Sequence, residues 1–332
     1  MLNIKKKTFF VFFFLLLHLP IFFINNIWDG TVISYGFNAN DISGVKNWYT
    51  ESSSNFQFII IKILYFLHII FNISAEIVFD LFTITTILLF SIEIKKFAVR
   101  VFKLNKENNS YFLYFALIFP VWHSLTEINL TLYLFCFYLA FLGYRFFVTA
   151  NHDLYKLAGI LLIYFSFSIK SNFTFVIAIV TLETFYNYFV FKKKTFQNFV
   201  LIYLISISGY LINLYFYPPF GVYENYNRVD LTNFDIKKLF LDIKNFYSFF
   251  IFYLIPGLAL LIIFKKKKFF LNKIFVFKII LILLFSFVTI VPYLLTQKSI
   301  NILFFTGFQS RHAYLISAST IFFIIHLFDY FR

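Results

Sequence analysis

Apolar residues along this chain come in long unbroken blocks, not in stripes of one per helical turn. A membrane-spanning helix needs about 20 such residues in a row. Ten blocks of roughly that size can be drawn, at 8–27, 75–94, 110–125, 129–148, 155–170, 172–191, 197–217, 246–264, 274–294 and 312–330. The pattern predicts an all-α polytopic membrane protein with about ten spans, a single transmembrane domain over residues 1–332 and no separate soluble domain. Two stretches break the pattern. "WDGTVISYGFNANDISGVKNWYTESSS" at 28–54 is polar directly after the first block, and "FQFIIIKILYFLHIIFN" at 56–72 is an eleventh apolar run interrupted by Lys62 and His68.

Charge decides whether 56–72 crosses. Lys5, Lys6 and Lys7 place the N-terminus in the cytoplasm, because basic residues stay on that side. If 56–72 stays on one side, the inner loops collect 20 of the 29 Lys and Arg, including Lys192 to Lys194 and Lys265 to Lys268. If it crosses, every later loop flips and most of that bias is lost. The reading is therefore an interfacial helix at 56–72, both termini cytoplasmic, and exterior loops at 28–74, 217–245 and 295–311. Asp29, Asp41, Glu51, Glu76, Glu127, Glu224, Asp230, Asp235 and Asp242 then gather at or near the exterior face.

Composition agrees with this class and narrows the rest. Of the residues 61% are hydrophobic and 13% charged, with mean hydropathy +0.81; a soluble domain carries roughly a quarter charged. The net charge of +14 sits in short clusters such as "NIKKKTFF", "FKKKTF" and "FKKKKFF" between apolar blocks. That is the signature of topology and anionic-lipid contact, not of nucleic-acid binding. One cysteine, Cys136, excludes a disulfide framework and a thiolate metal site. The 56 Phe follow an A+T-rich codon usage and need no functional account. No small-residue cleavage site follows the first block, so it reads as a retained helix.

The layout resembles the GT-C superfamily of membrane glycosyltransferases, which includes protein O-mannosyltransferases and the aminoarabinose transferase of lipid A. The residues that carry the resemblance are "NNIWDG" at 25–30, Tyr35 to Tyr49, "NFQFIIIKILYFLHIIFN" at 55–72 and "SAEIVFDLFTITTILLFSIEIKKFAVRVF" at 74–102. "FSIKSNFTF" at 167–175 and "GFQSRHAYLISAS" at 307–319 resemble the family's outer lysine and the basic residue before its last helices. The resemblance implies a bacterial cytoplasmic-membrane enzyme. It would move a sugar from a polyprenyl-phosphate-linked donor to a glycan, lipid or protein acceptor on the outer face.

That chemistry needs a carboxylate to deprotonate the acceptor and cations to hold the departing phosphate. Asp29, at the exit of the first helix beside Trp28, is the expected base. Asp41 and Glu51 would supply a second carboxylate or oxygen ligands for a divalent cation, or are solvated loop charges, the reading that the lack of a pattern binding them together favours. Arg311, His312, Lys170 and Arg228 are the candidate phosphate contacts, each with an alternative as an interfacial or snorkelling charge. Tyr223, Glu224 and Tyr226 in "PPFGVYENYNR" suit a sugar face or an interfacial turn. Asp80, Glu183 and His326 fall inside spans, where an ionisable group is a functional suspect; Glu183 lies where it would reach water at the inner end. His18, His68 and His123 show no metal-ligand spacing. Two other readings stand beside the transferase. A polysaccharide polymerase would use Arg228 in the 217–245 loop. A lipid-linked sugar flippase or transporter would show repeated halves and broken helices, which nine glycines and six prolines do little to supply.

Overall fold

The computed structural model describes residues 16, 19–23, 29–102, 128–170, 172–191, 196–224, 235–245, 247–248 and 273–295. Among these the chain is all-helical, with no strand. After a 3-10 turn at Leu19–Phe23 come α1 (Asp29–Asn38), α2 (Ser43–Glu51), α3 (Asn55–Phe71), α4 (Ala75–Phe102) and α5 (Ile128–Thr149). They are followed by α6 (Asp153–Ser166), α7 (Asn172–Phe191), α8 (Phe196–Phe216) and α9 (Lys273–Leu295). Three helical segments, Ala75–Phe102, Thr131–Thr149 and Phe199–Phe216, are long and apolar enough to cross a membrane. Of the ten expected spans, 110–125 and 312–330 lie outside the described residues, as do all but residues 247–248 of 246–264 and most of 8–27. The span expected at 155–170 is shorter than drawn. α6 ends at Ser166 after 14 residues, and Phe167 to Lys170 form the turn into α7.

The first correction concerns 28–54, expected as a polar loop. It folds into α1 and α2, because each hides a buried pair one turn apart: Ile33 and Phe37 in α1, Val45 and Tyr49 in α2. These four pack with Ile61, Leu64, Val78, Phe79, Ile128 and Leu132 into a small core of their own. The turn between α1 and α2 packs closely on Gly36, where a Cβ would stand 3.0 Å from the Asp41 carbonyl oxygen and push it back by a few tenths of an ångström. The loop expected at 217–245 is likewise helical over residues 236–245, where Asp235 accepts hydrogen bonds from the Lys237 and Lys238 amides at 2.8 and 3.2 Å. That carboxylate satisfies amides the first turn would otherwise leave bare.

α3 spans about 25 Å at 1.5 Å per residue, yet both its ends stay at one end of the bundle. Phe56 stacks on Phe165 near the end of α6, with centroids 4.7 Å apart, and Ser53 donates to the Tyr217 carbonyl just past α8. At the far end, Asn72 takes the left-handed conformation (φ 48°) and turns the chain into α4. His68 Nδ1 lies 2.6 Å from the Ile73 carbonyl. The apolar run therefore lies across this end, here called the roof, and does not run along the bundle. Ile59, Ile63, Phe66 and Ile70 make its exposed face.

Below the roof, α4, α5, α7, α8 and α9 share a large aromatic core that includes Phe90, Phe137, Phe141, Phe175 and Phe285. α5 and α6 form an antiparallel hairpin in which Gly143 and Gly159 face one another. A Cβ on either would stand 2.6 Å from the other's carbonyl oxygen, a close approach that small residues permit in membrane bundles.

The end opposite the roof is held by ion pairs. Glu93 of α4 is forked by Arg145 of α5 at 2.6 and 3.1 Å and also accepts from Lys96 at 2.6 Å. Arg100 of α4 donates to Glu183 of α7 at 2.6 Å. Glu183, expected near the inner end without a functional role, is buried there against the Arg100 guanidinium rather than open to water. Asp80 is buried one turn below Glu76 and makes no hydrogen bond or ion pair among the described residues.

Candidate functional site at the roof

Three hydrogen bonds tie segments far apart in sequence. The Phe220 amide donates to the Glu51 carbonyl at 3.0 Å, the Ser53 hydroxyl to the Tyr217 carbonyl, and Trp48 Nε1–H to the Tyr223 hydroxyl. Residues 217–224 thus form a strap across the C-terminal end of α2 and the start of α3. Gly221 makes the crossing feasible. It sits at φ +61°, and a Cβ there would meet Glu51 Oε2 at 3.1 Å and Cδ at 3.3 Å. A side chain at 221 would displace the carboxylate and strain the backbone.

Two charges lie against this strap without a countercharge among the described residues. Glu51 is half-buried, and its carboxylate has no hydrogen-bond or ion-pair partner among the described residues. The half-buried Lys170, in the turn between α6 and α7, reaches the Tyr217 carbonyl at 3.5 Å and has no carboxylate partner there. Its burial pushes the ammonium below the ordinary lysine value. Tyr217 is the common element, accepting through one oxygen from both Ser53 and Lys170. Close by in sequence to Lys170, Ser168 Oγ lies 3.4 Å from Cys136 Sγ, and the Asn172 side-chain amide donates to Ser166 O at 3.0 Å while its buried Oδ1 has no partner among the described residues.

The remaining candidates fall out as follows. Asp41 is exposed, and its carboxylate accepts from the Ser43 amide at 2.8 Å, which holds its pKa below the usual carboxylate value. It is occupied in starting α2. Tyr223 is fixed by Trp48, while Glu224 is exposed and only its amide is engaged, by Gly221 O at 3.1 Å. Asp29 is the first residue of α1; its side chain lies outside the described set, as do Arg228, Arg311, His312, Tyr226, His18, His123 and His326. No group of three or more His, Cys, Asp or Glu that would hold a metal occurs among the described residues. Of the sequence candidates, the structure brings together Lys170, Glu51 and Tyr223. It adds Trp48, Ser53, Tyr217 and Gly221, which sequence reasoning missed. The helical spacing of Val45 and Tyr49 was the available signal for Trp48, since it shows that "VKNWYT" is a packed helix. No family model, curated protein or solved structure matches the chain.

Proposed function

We propose that this protein is a membrane glycosyltransferase of the GT-C type, transferring a sugar from a polyprenyl-phosphate donor to an acceptor hydroxyl or amine on the outer face of a bacterial cytoplasmic membrane. One observation carries the reading: an ammonium (Lys170) and a carboxylate (Glu51), both half-buried and without an ion-pair partner among the described residues, lie against the same strap, Lys170 at Tyr217 and Glu51 at Gly221. Desolvated charges are costly unless compensated. Keeping two opposite ones separate suits a ligand that brings its own anion and its own hydroxyl donors, which a glycosyl phosphate does.

In this reading Lys170, with Arg311 and His312, holds the phosphate, and Asp29 is the base. Glu51 receives hydrogen bonds from sugar or acceptor hydroxyls. The acceptor oxygen or nitrogen attacks the anomeric carbon and forms the new glycosidic bond as the bond from that carbon to the phosphate oxygen breaks. The acceptor proton goes to the carboxylate, and polyprenyl phosphate leaves with the bonding pair. Neutralising a developing phosphate charge is worth several kcal/mol in a dry site.

The test compares the cell-surface glycan profile of Lys170→Ala, Glu51→Gln, Asp29→Asn and Arg311→Ala variants with a deletion strain, after confirming equal membrane levels. The variants should copy the deletion, with Lys170→Ala reducing transfer at least a hundredfold. Wild-type profiles for both Lys170→Ala and Glu51→Gln, beside a deletion that has a phenotype, would remove the roof from the chemistry.

A further inference from the structure

We propose that Trp48 is the platform for a sugar ring: a pyranose that carries no carboxylate lies with its apolar C–H face on the indole, while Glu51 accepts hydrogen bonds from its hydroxyls. Naming that ring as the donor's rests on the transferase reading; the binding itself does not. Trp48 and Glu51 are three positions apart on α2, and side chains at that spacing are neighbours, their β-carbons about 5–6 Å apart. The indole is fixed before any ligand arrives. Its Nε1–H donates to the Tyr223 hydroxyl, and the Tyr49 ring lies tilted beside it with centroids 5.1 Å apart. Glu51 is fixed through its backbone, whose carbonyl accepts from the Phe220 amide at 3.0 Å. Its carboxylate lies against Gly221, on the same short segment that carries Tyr223. Groups held in place in this way give up little freedom on binding.

Two observations favour a sugar over a lipid here. A tryptophan that anchors a protein in a membrane interface turns its N–H to water or head groups. This N–H is spent on Tyr223, so the accessible part of the half-buried Trp48 offers carbon and π surface. The helix around it is polar: Ser43, Gly44, Lys46 and Asn47 are exposed, in contrast to Ile59, Ile63, Phe66 and Ile70 on α3. An aromatic surface among polar groups matches a pyranose, which is apolar on a face and ringed by hydroxyls. The negative π face attracts polarised C–H groups, and an ionised carboxylate takes hydrogen bonds roughly twice as strong as a neutral acceptor does. The same carboxylate sets the specificity. With no cation paired to it among the described residues, Glu51 repels a uronic acid seated on the indole. Lys46 does not offset this, since residues two apart on a helix do not face each other. Lys170 lies at Tyr217, where the transferase reading places the phosphate.

The test uses the full chain in a detergent without sugar head groups. Saturation-transfer NMR is run with the methyl glycosides of glucose, galactose and mannose, and with the matching uronic acids. A neutral glycoside should receive saturation through the C–H protons of one ring face, and its uronic acid should bind about tenfold more weakly. A chain carrying Trp28→Phe and Trp122→Phe keeps Trp48 as its sole tryptophan; its emission should shift and saturate over the same concentrations. Trp48→Leu should weaken the neutral glycoside about tenfold, whereas Trp48→Phe, which keeps an aromatic face, should stay within about threefold. Glu51→Gln should bring the uronic acid level with its neutral counterpart, and that variant decides the matter if Trp48→Leu does not fold. No neutral glycoside bound, unchanged binding in Trp48→Leu, or uronic acids bound as tightly as neutral sugars would each overturn the proposal. Failure of the transferase reading looks different: these binding preferences beside wild-type surface glycans in Lys170→Ala keep the platform and remove the enzyme.

Discussion

The glycine pair between α5 and α6 allows a quantitative forecast. In Gly143→Ala the new methyl would stand 2.6 Å from Gly159 O and 3.0 Å from the Ile163 amide nitrogen; in Gly159→Ala it meets Gly143 O at 2.6 Å and the Phe147 amide nitrogen at 2.9 Å. Ordinary carbon-to-oxygen contact begins near ~3.3 Å, so the helices must part by about 0.7 Å. A gap of that size forfeits a quarter to a half of each dispersion contact along the crossing. Backbone cannot turn aside as a side chain can, which puts the cost near the upper end of overpacking, about 3 kcal/mol. Alanine returns about 1 kcal/mol in helix propensity, leaving about 2 kcal/mol for either single variant. One separation accommodates both methyls. The double variant should therefore lose about 3 and regain about 2 kcal/mol, ending only about 1 kcal/mol below wild type, whereas additive singles would total about 4. Reversible unfolding in mixed micelles, followed by circular dichroism, reads all four corners of the cycle. Gly44→Ala is the control: nothing lies within 4 Å of its Cβ position, so it should stabilise by ~0.5–1 kcal/mol. Singles within 0.5 kcal/mol of wild type, or a double equal to the sum of its singles, would refute the shared-clash argument.

Three further outcomes follow from features elsewhere. Arg145→Met leaves buried Glu93 with only the half-exposed Lys96 and should cost about 3 kcal/mol in the same assay, while Glu93→Gln on top of it should recover most of the loss. Gly221→Ala forces a β-carbon into the left-handed region and against Glu51. It should destabilise by about 1–2 kcal/mol and lower transfer in parallel with Glu51→Gln; an unchanged melting temperature would contradict the strap geometry. Asp41 has a folded pKa below its ordinary 3.8, so its capping contribution is complete above that value and is lost as pH falls through the lower, folded one. Exchange protection of the Ser43 amide should fade in that acid window, and Asp41→Asn should flatten the profile.

Among the described residues, helix was legible where an apolar block was long, as at 75–94 and 129–148, which lie in helices apolar and long enough to cross a membrane. A helix at 56–72 was legible from its apolar run, and the structure has one at Asn55–Phe71. What could not be read was the fold of 28–54. Its two buried pairs are diluted among Asn, Gly and Ser, and their partners lie on α3, α4 and α5. Site residues divided along the same line. Lys170 and Tyr223 stood out by type and place, but that they belong together depends on Tyr217, a backbone carbonyl acceptor that no side-chain pattern announces. Asp41 looked as eligible as Glu51. Only the Ser43 amide beside one and Gly221 beside the other tell them apart.

The strap also sets a timetable for biogenesis. Ser53 and Tyr217 are 164 positions apart, and Trp48 and Tyr223 are 175. At ~5–20 residues per second of synthesis, roughly 8–35 s separate the emergence of the two sides of each tie. Throughout that interval α1 to α4 have been made while the residues that tie onto Trp48 and Ser53 are still to come. Chains arrested between α4 and α8 should be the ones that quality-control proteases remove.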